Sequence, residues 1–424
     1  MSLSSAAGSA ASSAISSPSI AAAAHVNINH INRNNTVRKW VLKRRPRGVF
    51  DPDLDAELVT SQYEYESPEL QTHTHTHTNT LSHTHQPPPP PLELGDTQVV
   101  VEPTMLSVDA FLRTMMADGA YHGSLPIGST FPALGYGRVV QAGVRSRHRI
   151  GTTVAGMLEA SDRVVVESNA VVRAIGLPIP GFPKHASLGL LGITCGMTAY
   201  CGVFCVASRP PRRGETVVVT GAAGAVGSIA VQLCQSTGAR VVAVAGGPQK
   251  KEYLLQTLGC DGVIDYKCTD RSLREQIAET CPNGIDFVYD NVGGRVLNAL
   301  LYNINANARV VICGAISQYS GKLHNNHNGN GDKTIHYDYD CCGAEGPSNY
   351  LKLAEKGAEM RGFNVMQHIA KLPLMLLGMV YLWARGKVTL AVHVEEGLER
   401  FPRALQKLFT GETIGKTLVR VRAD

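Results

Sequence analysis

The sequence lacks features that would assign it to several other classes of protein. Its 424 residues include ten cysteines but no CxxC pair, which argues against zinc-ribbon and thioredoxin-like motifs and predicts reduced, buried thiols. No apolar run reaches the roughly 18 residues that a membrane-spanning helix needs, and no basic run is interleaved with aromatic residues. With a net charge of only +5, we expect neither a membrane nor a nucleic-acid partner.

Acidic residues are missing from residues 1–36, a stretch rich in Ser, Ala and Asn. Such a composition buries too little apolar surface to fold, so we expect a disordered tail. An acid-poor, Ser-rich start is also typical of mitochondrial transit peptides, but these are rich in arginine, and the first arginine here is Arg33. We expect a cytoplasmic protein, with a mitochondrial location as the alternative.

Two further tracts have biased compositions that predict surface loops. Residues 71–91 alternate Thr with His and end in five prolines. Its five histidines offer metal ligands on one side of an extended chain, but a solvated insertion is the simpler interpretation. The segment from Leu323 to Gly346 is rich in Asn, Gly, His and Asp and also predicts a loop.

Between these tracts the spacing of apolar residues predicts an α/β protein. Residues 37–184 contain short apolar runs separated by Gly and Pro, which predicts a mostly antiparallel β domain. From 185 to 390 short strands alternate with helices, as in βαβ units on a doubly wound parallel sheet, and residues 391–424 return to short strands. The predicted strands of the parallel sheet are Thr216–Thr220, Arg240–Ala245, Gly262–Asp265, Phe287–Asp290 and Arg309–Cys313.

The first of these strands leads into a glycine turn and then a helix. Gly221 permits the tight turn, Gly224 lets the backbone approach a pyrophosphate, and Gly227 allows the helix to pack closely on the strand. The N-terminus of that helix presents free N–H groups and a positive dipole end to phosphate. The segment therefore predicts a dinucleotide-binding site; the alternative is a glycine turn that only packs.

The end of the next strand indicates which dinucleotide is bound. NAD sites place Asp or Glu there to bind the ribose 2′-hydroxyl, but this chain continues as Ala245-Gly-Gly-Pro-Gln-Lys250-Lys251. No carboxylate is present there to repel a 2′-phosphate. Lys250 is the candidate phosphate contact, and Lys251 is expected to face water. The sequence favours NADPH as the cofactor.

The β domain lacks the ligands of a catalytic zinc site. The stretch Leu106-Ser-Val-Asp109 has no Cys, and Gly135-Tyr-Gly137 stands where zinc alcohol dehydrogenases carry Gly-His-Glu, so we expect no metal. Without a Lewis acid, hydride reduction of a polarised C=C bond is easier to support than alcohol oxidation. Tyr319 is the candidate donor to the developing oxyanion, because a tyrosine is protonated at neutral pH; the alternative is a residue that only lines the pocket.

Several motifs together resemble the zinc-independent medium-chain dehydrogenase/reductases, most of all the prostaglandin reductases, leukotriene B4 hydroxydehydrogenases and NADP-dependent alkenal double-bond reductases. The resemblance implies a GroES-like β domain formed from both ends of the chain, a Rossmann domain between them, and a homodimer. The stretches that carry it are Arg38–Pro46, Leu106–Asp109, Gly196–Tyr200, Gly221–Ser228, Asp290–Gly294, Cys313–Tyr319 and Gly415–Thr417.

The resemblance also implies which residues contact the cofactor. Thr413 stands where the family tends to carry Asn, and Ala110-Phe111 replaces its usual Pro-Tyr, so one cofactor contact and one pocket hydroxyl are altered. The implied contacts are Gly224, Ala225, Val226 and Gly227 at the pyrophosphate, Lys250 and Tyr266 at the adenosine end, and Asn291, Cys313, Gly314, Ala315, Ile316, Ser317 and Phe363 around the nicotinamide half.

The activity implied is the NADPH-dependent reduction of the C=C bond in α,β-unsaturated ketones or aldehydes, a class that includes oxo-prostaglandins. A quinone reductase on the same scaffold is the near alternative. A protein that binds NADPH with little catalysis is the alternative from another class.

Overall fold

The computed structural model describes residues 36–62, 94–118, 120, 123–173, 182, 184–320, 323–325, 335–337 and 346–423. The predicted tail up to residue 35, the histidine-rich insertion at 71–91 and most of the polar segment from 323 to 346 lie outside these residues. Thr36, the first of the described residues, begins the first strand.

The first half of the described chain is mostly β structure, as predicted. Its valine-rich runs, such as Val99–Val101, are almost completely buried. In chain order the elements are β1 (Thr36–Leu42), α1 (Pro52–Asp55), β2 (Ala56–Gln62), β3 (Gln98–Ser107), α2 (Phe111–Met115), β4 (Pro132–Ala142), β5 (Thr153–Glu159), β6 (Val164–Glu167) and β7 (Val171–Arg173).

These strands form a two-stranded ribbon and part of a larger sheet around one apolar core. β1 pairs with β2, whereas β3 to β7 pair antiparallel in the larger sheet. In the core, the ring of Phe131 lies 6.4 Å from the rings of both Phe50 and Phe401. Phe401 is close to the C-terminus in sequence, so distant parts of the chain share this core.

A continuous helical segment, Ile193–Val206, precedes the second sheet; its middle turn is α3 (Thr198–Cys201). Strands and helices then alternate. They are β8 (Thr216–Thr220), α4 (Ala225–Ser236), β9 (Arg240–Ala245), α5 (Pro248–Glu252), β10 (Gly262–Asp265), α6 (Leu273–Thr280), β11 (Ile285–Asp290), α7 (Gly294–Leu300), β12 (Ile304–Ile312), the antiparallel pair β13 (Leu323–Asn325) and β14 (Ile335–Tyr337), α8 (Leu351–Lys356) and β15 (Glu359–Gly362).

Six of these strands form one parallel sheet in the order β10-β9-β8-β11-β12-β15. Side chains alternate between its faces: Val217 and Val219 pack into one apolar core, and Val218 packs into the other. The strand order reverses between β8 and β11. Such a reversal opens a crevice at the carboxyl ends of the strands, where α/β sheets bind ligands.

The fold class predicted from the sequence is confirmed. β8, β9 and β10 have the predicted bounds, whereas β11 and β12 begin earlier than predicted, at Ile285 and Ile304. β15 was not predicted, because Glu-Met-Arg-Gly contains no apolar run that would indicate a strand.

The C-terminal part returns to the first sheet. After the 3₁₀ turns of Val365–Lys371, the chain forms α9 (Leu372–Ala384), β16 (Val392–Glu396), α10 (Phe401–Thr410) and β17 (Lys416–Arg420). β17 lies between β16 and β3 in the sheet, so the last strand completes the β domain.

The helical segment Val365–Ala384 is the one segment among the described residues that is long and apolar enough to cross a membrane. Its best 18-residue window has a mean hydropathy of 1.4, and 11% of that window is buried. No uninterrupted apolar run predicted it, because Lys371 interrupts the segment.

Candidate functional site

A cleft of about 650 Å³ is lined by residues from both sheets. Fifteen of the sixteen site residues predicted from the sequence lie on its wall. They are Gly221, Gly224, Ala225, Val226, Gly227, Lys250, Tyr266, Asn291, Cys313, Gly314, Ile316, Ser317, Tyr319, Phe363 and Thr413.

The glycine turn between β8 and α4 forms the floor of the cleft. Gly221 has a φ of 59°, a conformation that favours glycine. A Cβ at Gly227 would lie 2.2 Å from the Gly221 carbonyl oxygen, whereas a Cβ at Gly224 would come no nearer than 3.2 Å to that atom. Gly227 therefore serves close packing, and Gly224 leaves open space beside the turn.

The N-terminus of α4 opens into this space. Its N-cap is Gly224, which contributes no side-chain hydrogen bond. The first N–H groups of a helix have no partner within the helix, so this end is suited to an anion. The C-terminal segment also reaches the turn, because the Gly415 N–H donates to the Ala223 carbonyl at 2.8 Å.

Hydrogen bonds hold Asn291 beside the glycine turn. The Thr220 hydroxyl donates to Asp290 at 2.6 Å and accepts from the Asn291 N–H at 2.8 Å, and the Asn291 amide donates to the Thr220 carbonyl at 2.7 Å. Burial raises the pKa of Asp290, although Thr220 and the Val292 and Gly293 N–H groups oppose that rise. The network thus joins the ends of β8 and β11 at the crevice.

One end of the cleft, which we call the cationic end, carries three basic side chains around Tyr266: Lys250, Lys267 and Arg295. Lys250 Nζ and Tyr266 Oη come within 3.4 and 3.9 Å of the position that a Cβ would take at Gly411. Burial, and then the nearby Lys267, lower the pKa of Lys250. No carboxylate among the described residues forms an ion pair with Lys250 or Lys267, so an anion would be attracted here.

Lys267 and Arg295 were missed in the sequence analysis. Lys267 follows Tyr266 directly, and it reaches the cleft because β10 pairs in parallel with β9, Asp265 lying opposite Ala245. That adjacency was the available signal for Lys267. Lys251, by contrast, is exposed and does not line the cleft.

The cleft wall on the other side of the glycine turn follows β12 and β15, which lie across the sheet from β9 and β10. Tyr319 and Phe363 come after these strands, and Phe111, Thr194 and Thr198 also line the cleft; we call these five residues the hydroxyl end. The Tyr319 hydroxyl accepts from the Ala315 N–H at 3.2 Å. Its oxygen also lies 2.8 Å from where a Cβ at Gly314 would stand. Glycine at 314 therefore lets the phenol lie flat against the backbone.

Ala315 is the predicted site residue that does not line the cleft. The backbone turns at Ala315 into the 3₁₀ turn Ile316–Gln318, and the Ala315 Cβ lies close to Gly293 instead. Its N–H holds Tyr319, so it supports the site indirectly. Cys313 does line the wall; burial raises the pKa of its thiol to about 12, so it is neutral at physiological pH.

A buried ion pair that the sequence analysis also missed lies at the domain contact. Lys416 Nζ donates to Asp109 at 2.7 Å and to the Val108 carbonyl at 3.1 Å, and both charged residues line the cleft. Burial, the largest single effect, disfavours the charged amine, but Asp109 and Cys195 together outweigh it, and the pKa of Lys416 is raised. The pair holds the start of β17 against the chain that follows β3.

The described residues contain no group of three or more His, Cys, Asp and Glu side chains arranged to hold a metal. On the cleft wall, Asp109 is the one carboxylate among them, and it is already paired with Lys416. The expectation of a zinc-independent site stays a prediction. The eight described cysteines are free thiols.

Comparisons with known proteins agree with this geometry. A family model described as zinc-binding dehydrogenase matches residues 225–335. The NADP-dependent 2-alkenal reductase of Nicotiana tabacum is 33% identical over 332 residues, covering 78% of this chain and 89% of its own. Prostaglandin reductase 1 of Mus musculus is 33% identical over 331 residues, covering 77% of this chain and 90% of its own.

A solved structure also resembles this chain over most of its length. The crystal structure of CurA in complex with NADPH, from Vibrio vulnificus, superposes with a TM-score of 0.72 and 26% sequence identity, covering 91% of this chain and 100% of CurA.

The two sheets and the cleft between them define a two-domain dehydrogenase/reductase. The chain belongs to the medium-chain dehydrogenase/reductases, in the group that includes the prostaglandin and alkenal reductases. The family predicted from the sequence motifs is confirmed.

Proposed function

We propose that this protein reduces the C=C bond of α,β-unsaturated aldehydes and ketones with NADPH. The observation that carries the proposal is the order of the strands beneath a single cleft. The cationic end follows β9 and β10, the glycine turn follows β8 in the middle of the sheet, and Tyr319 and Phe363 follow β12 and β15. This order matches a phosphorylated dinucleotide laid across the carboxyl ends of the strands, with its reactive ring toward Tyr319.

The protein is an NADP-dependent oxidoreductase, and NADPH is its cofactor. The residues present fit that cofactor. The open space beside Gly224 and the uncapped start of α4 suit the pyrophosphate. Lys250 and Lys267 suit the 2′-phosphate, since the nearby Asp265 carboxylate accepts from the Gly247 and Lys267 N–H groups rather than pairing with either amine. We propose the predicted cofactor contacts at these positions, with Lys267 and Arg295 added.

When bound, NADPH supplies a hydride to the β-carbon of the conjugated bond. Negative charge then develops on the carbonyl oxygen of the substrate, and a hydrogen-bond donor held in place lowers the energy of that charge. We assign this role to Tyr319, whose oxygen is fixed by the Ala315 N–H. Phe111 and Phe363 give the same end of the cleft an apolar wall that excludes water.

The names of related proteins support this substrate class. They include a 2-alkenal reductase, a (+)-pulegone reductase, prostaglandin reductases and a curcumin reductase. The family's usual tyrosine is Phe111 here, which makes the cleft more apolar and favours long-chain enones. The cytoplasmic location, with the mitochondrial alternative, and the homodimer remain predictions.

The proposal is tested with the purified full-length protein, NADPH and a medium-chain 2-alkenal. NADPH carrying deuterium at the transferred position is used, and the products are identified by mass spectrometry. The expected product is the saturated aldehyde with one deuterium on the β-carbon, at a rate that chelators do not change.

The same assay separates the alternatives. A deuterated allylic alcohol would show that the C=O bond is reduced instead. Faster turnover of a simple quinone than of any enone would favour a quinone reductase. Tight NADPH binding without turnover of either class would leave only a binding protein.

A further inference from the structure

The outer face of α9 and the turns before it is apolar and exposed. Leu374, Leu377 and Tyr381 are 60%, 71% and 60% exposed, and their spacing of three and four residues places them on one side of the helix. Met366 and Ile369, 56% and 45% exposed, extend this surface along the preceding turns. We call these five residues the apolar face. Helices on a protein surface normally carry charged residues on their solvent-exposed side. An exposed apolar patch of this kind marks an interaction site.

The opposite side of α9 is anchored in the protein. Met375 and Met379 are buried, and the rings of Trp383 and Phe182 lie 4.7 Å apart. A Cβ at Gly378 would lie 2.4 Å from the Tyr200 hydroxyl, so the helix packs tightly at this point. Because this side is part of the core, α9 cannot leave the protein to cross a bilayer, and the apolar face is presented parallel to a surface.

The Lys, Arg, Asp and Glu residues of the segment that carries the apolar face have one sign. Residues 361–394 contain no Asp or Glu and four basic residues, Arg361, Lys371, Arg385 and Lys387. Lys371, Arg385 and Lys387 are exposed at the two ends of α9, and no carboxylate in the described part of the chain lies within ion-pair distance of these three. An exposed apolar helix with basic ends is the pattern of an interfacial helix that lies on an anionic bilayer.

We propose that the apolar face of α9 docks the protein on the surface of an anionic lipid bilayer. A second copy of this chain is the less suitable partner, because symmetric pairing would bring the basic residues of both copies together with no acid between them. The cleft opens beside this surface, since Phe363, Asn364 and Val365 line it. Docking therefore places the mouth of the cleft near apolar molecules that are dissolved in the bilayer. This proposal differs from the sequence-based expectation of no membrane partner, which stays a prediction.

The proposal is tested by co-sedimentation of the full-length protein with phosphatidylcholine vesicles, with and without phosphatidylserine, in the absence of NADPH and substrate. We expect binding to the anionic vesicles about tenfold tighter than to the neutral ones, and weakening as salt is raised. The double variant L374Q/L377Q should lose about tenfold or more of the binding. R385Q/K387Q should lose the preference for anionic vesicles.

A matched control uses two exposed apolar residues of the β domain. Val144 and Ile150 are 88% and 67% exposed, so V144Q/I150Q removes apolar surface elsewhere and should bind as the wild type does. NADPH binding by every variant, followed by fluorescence, shows that each has folded and does not depend on catalysis.

Two results would overturn the proposal. The first is equal vesicle binding by the wild type and L374Q/L377Q, or no binding by either. The second is a wild-type dimer that becomes monomeric in L374Q/L377Q and does not sediment with vesicles, which would identify the apolar face as a contact between copies.

Discussion

At the scale of single residues, the two ends of the cleft have separate tasks. In the proposed function, Tyr319, with its oxygen held by the Ala315 N–H, stabilises the charge that develops during reduction, while Lys250 and Lys267 bind the cofactor's extra phosphate. Substitutions at the two ends should therefore affect different kinetic constants.

The Y319F variant tests the hydroxyl end. It keeps the ring against Gly314 but removes the donor, and the loss of one oxyanion donor lowers kcat by about a hundredfold to a thousandfold. We expect a fall of at least tenfold in kcat for alkenal reduction, with the NADPH dissociation constant unchanged. An unaltered kcat would mean that Tyr319 only lines the cleft.

The cationic end is tested by removing each lysine. K250M and K267M should each raise KM for NADPH by about tenfold, since a hydrogen bond between charged groups contributes roughly 1.5–3 kcal/mol. The KM for NADH, which has no 2′-phosphate, should change little. K251M is the matched control, because Lys251 is exposed and lies outside the cleft. A K251M effect as large as that of K250M would contradict the assignment.

The pH dependence of NADPH binding follows from Lys250. Burial and Lys267 hold its pKa below the ordinary 10.5, so its positive charge is lost at a lower pH than that of an ordinary lysine. A phosphate is fully ionised well below this range, since its second pKa is about 6. Calorimetry should show NADPH affinity falling as the pH rises through the alkaline range. NADH affinity, or NADPH affinity in K250M, should not show this fall.

At the scale of helices and strands, two glycines of the turn have different roles. Gly227 allows close packing, and Gly224 is proposed to leave space for the pyrophosphate. In G227A the new Cβ would lie 2.2 Å from the Gly221 carbonyl oxygen. Such overpacking should lower the free energy of unfolding by about 1–3 kcal/mol, which urea unfolding measures. In G224A the nearest atom is 3.2 Å away, so the fold should persist while NADPH affinity falls. The reverse pattern, a stable G227A and an unfolded G224A, would contradict this division.

Strands with consecutive β-branched residues were predictable, and elements without such a pattern were not. β8 and β9 are runs of valine between clear turn signals, so their bounds agree with the prediction. β15 has only four residues and no apolar run, and it is a strand because β12 pairs with it. The cleft-lining residues next to the glycine turn were predictable from local spacing. Lys267 and the Lys416–Asp109 pair were not, because tertiary pairing brings them to the cleft.

At the scale of the whole molecule, the Lys416–Asp109 pair joins residues 307 positions apart in sequence. Removing one partner of a buried pair costs about 3–5 kcal/mol, so K416M should lower the free energy of unfolding by roughly that amount. The double variant K416M/D109L should recover part of the loss, because no buried charge is then left unpaired. A K416M protein as stable as the wild type in urea would contradict this.

The pair also predicts how stability changes in alkali. Because Asp109 raises the pKa of Lys416 above the ordinary 10.5, its contribution is present below that pH and is lost only as the pH rises through the raised value. The free energy of unfolding of the wild type should therefore fall in strong alkali, and that of K416M should not show this fall.

The place of β17 has a consequence for synthesis of the chain. This strand lies inside the first sheet, between β16 and β3, yet it follows every strand of the parallel sheet in chain order. The parallel sheet, whose strands end at Gly362, can therefore assemble first during translation, since domains generally fold as they emerge. The edge of β3 that pairs with β17 stays uncovered until β17 has been synthesised. A truncation before Lys416 would leave that edge permanently open to other chains.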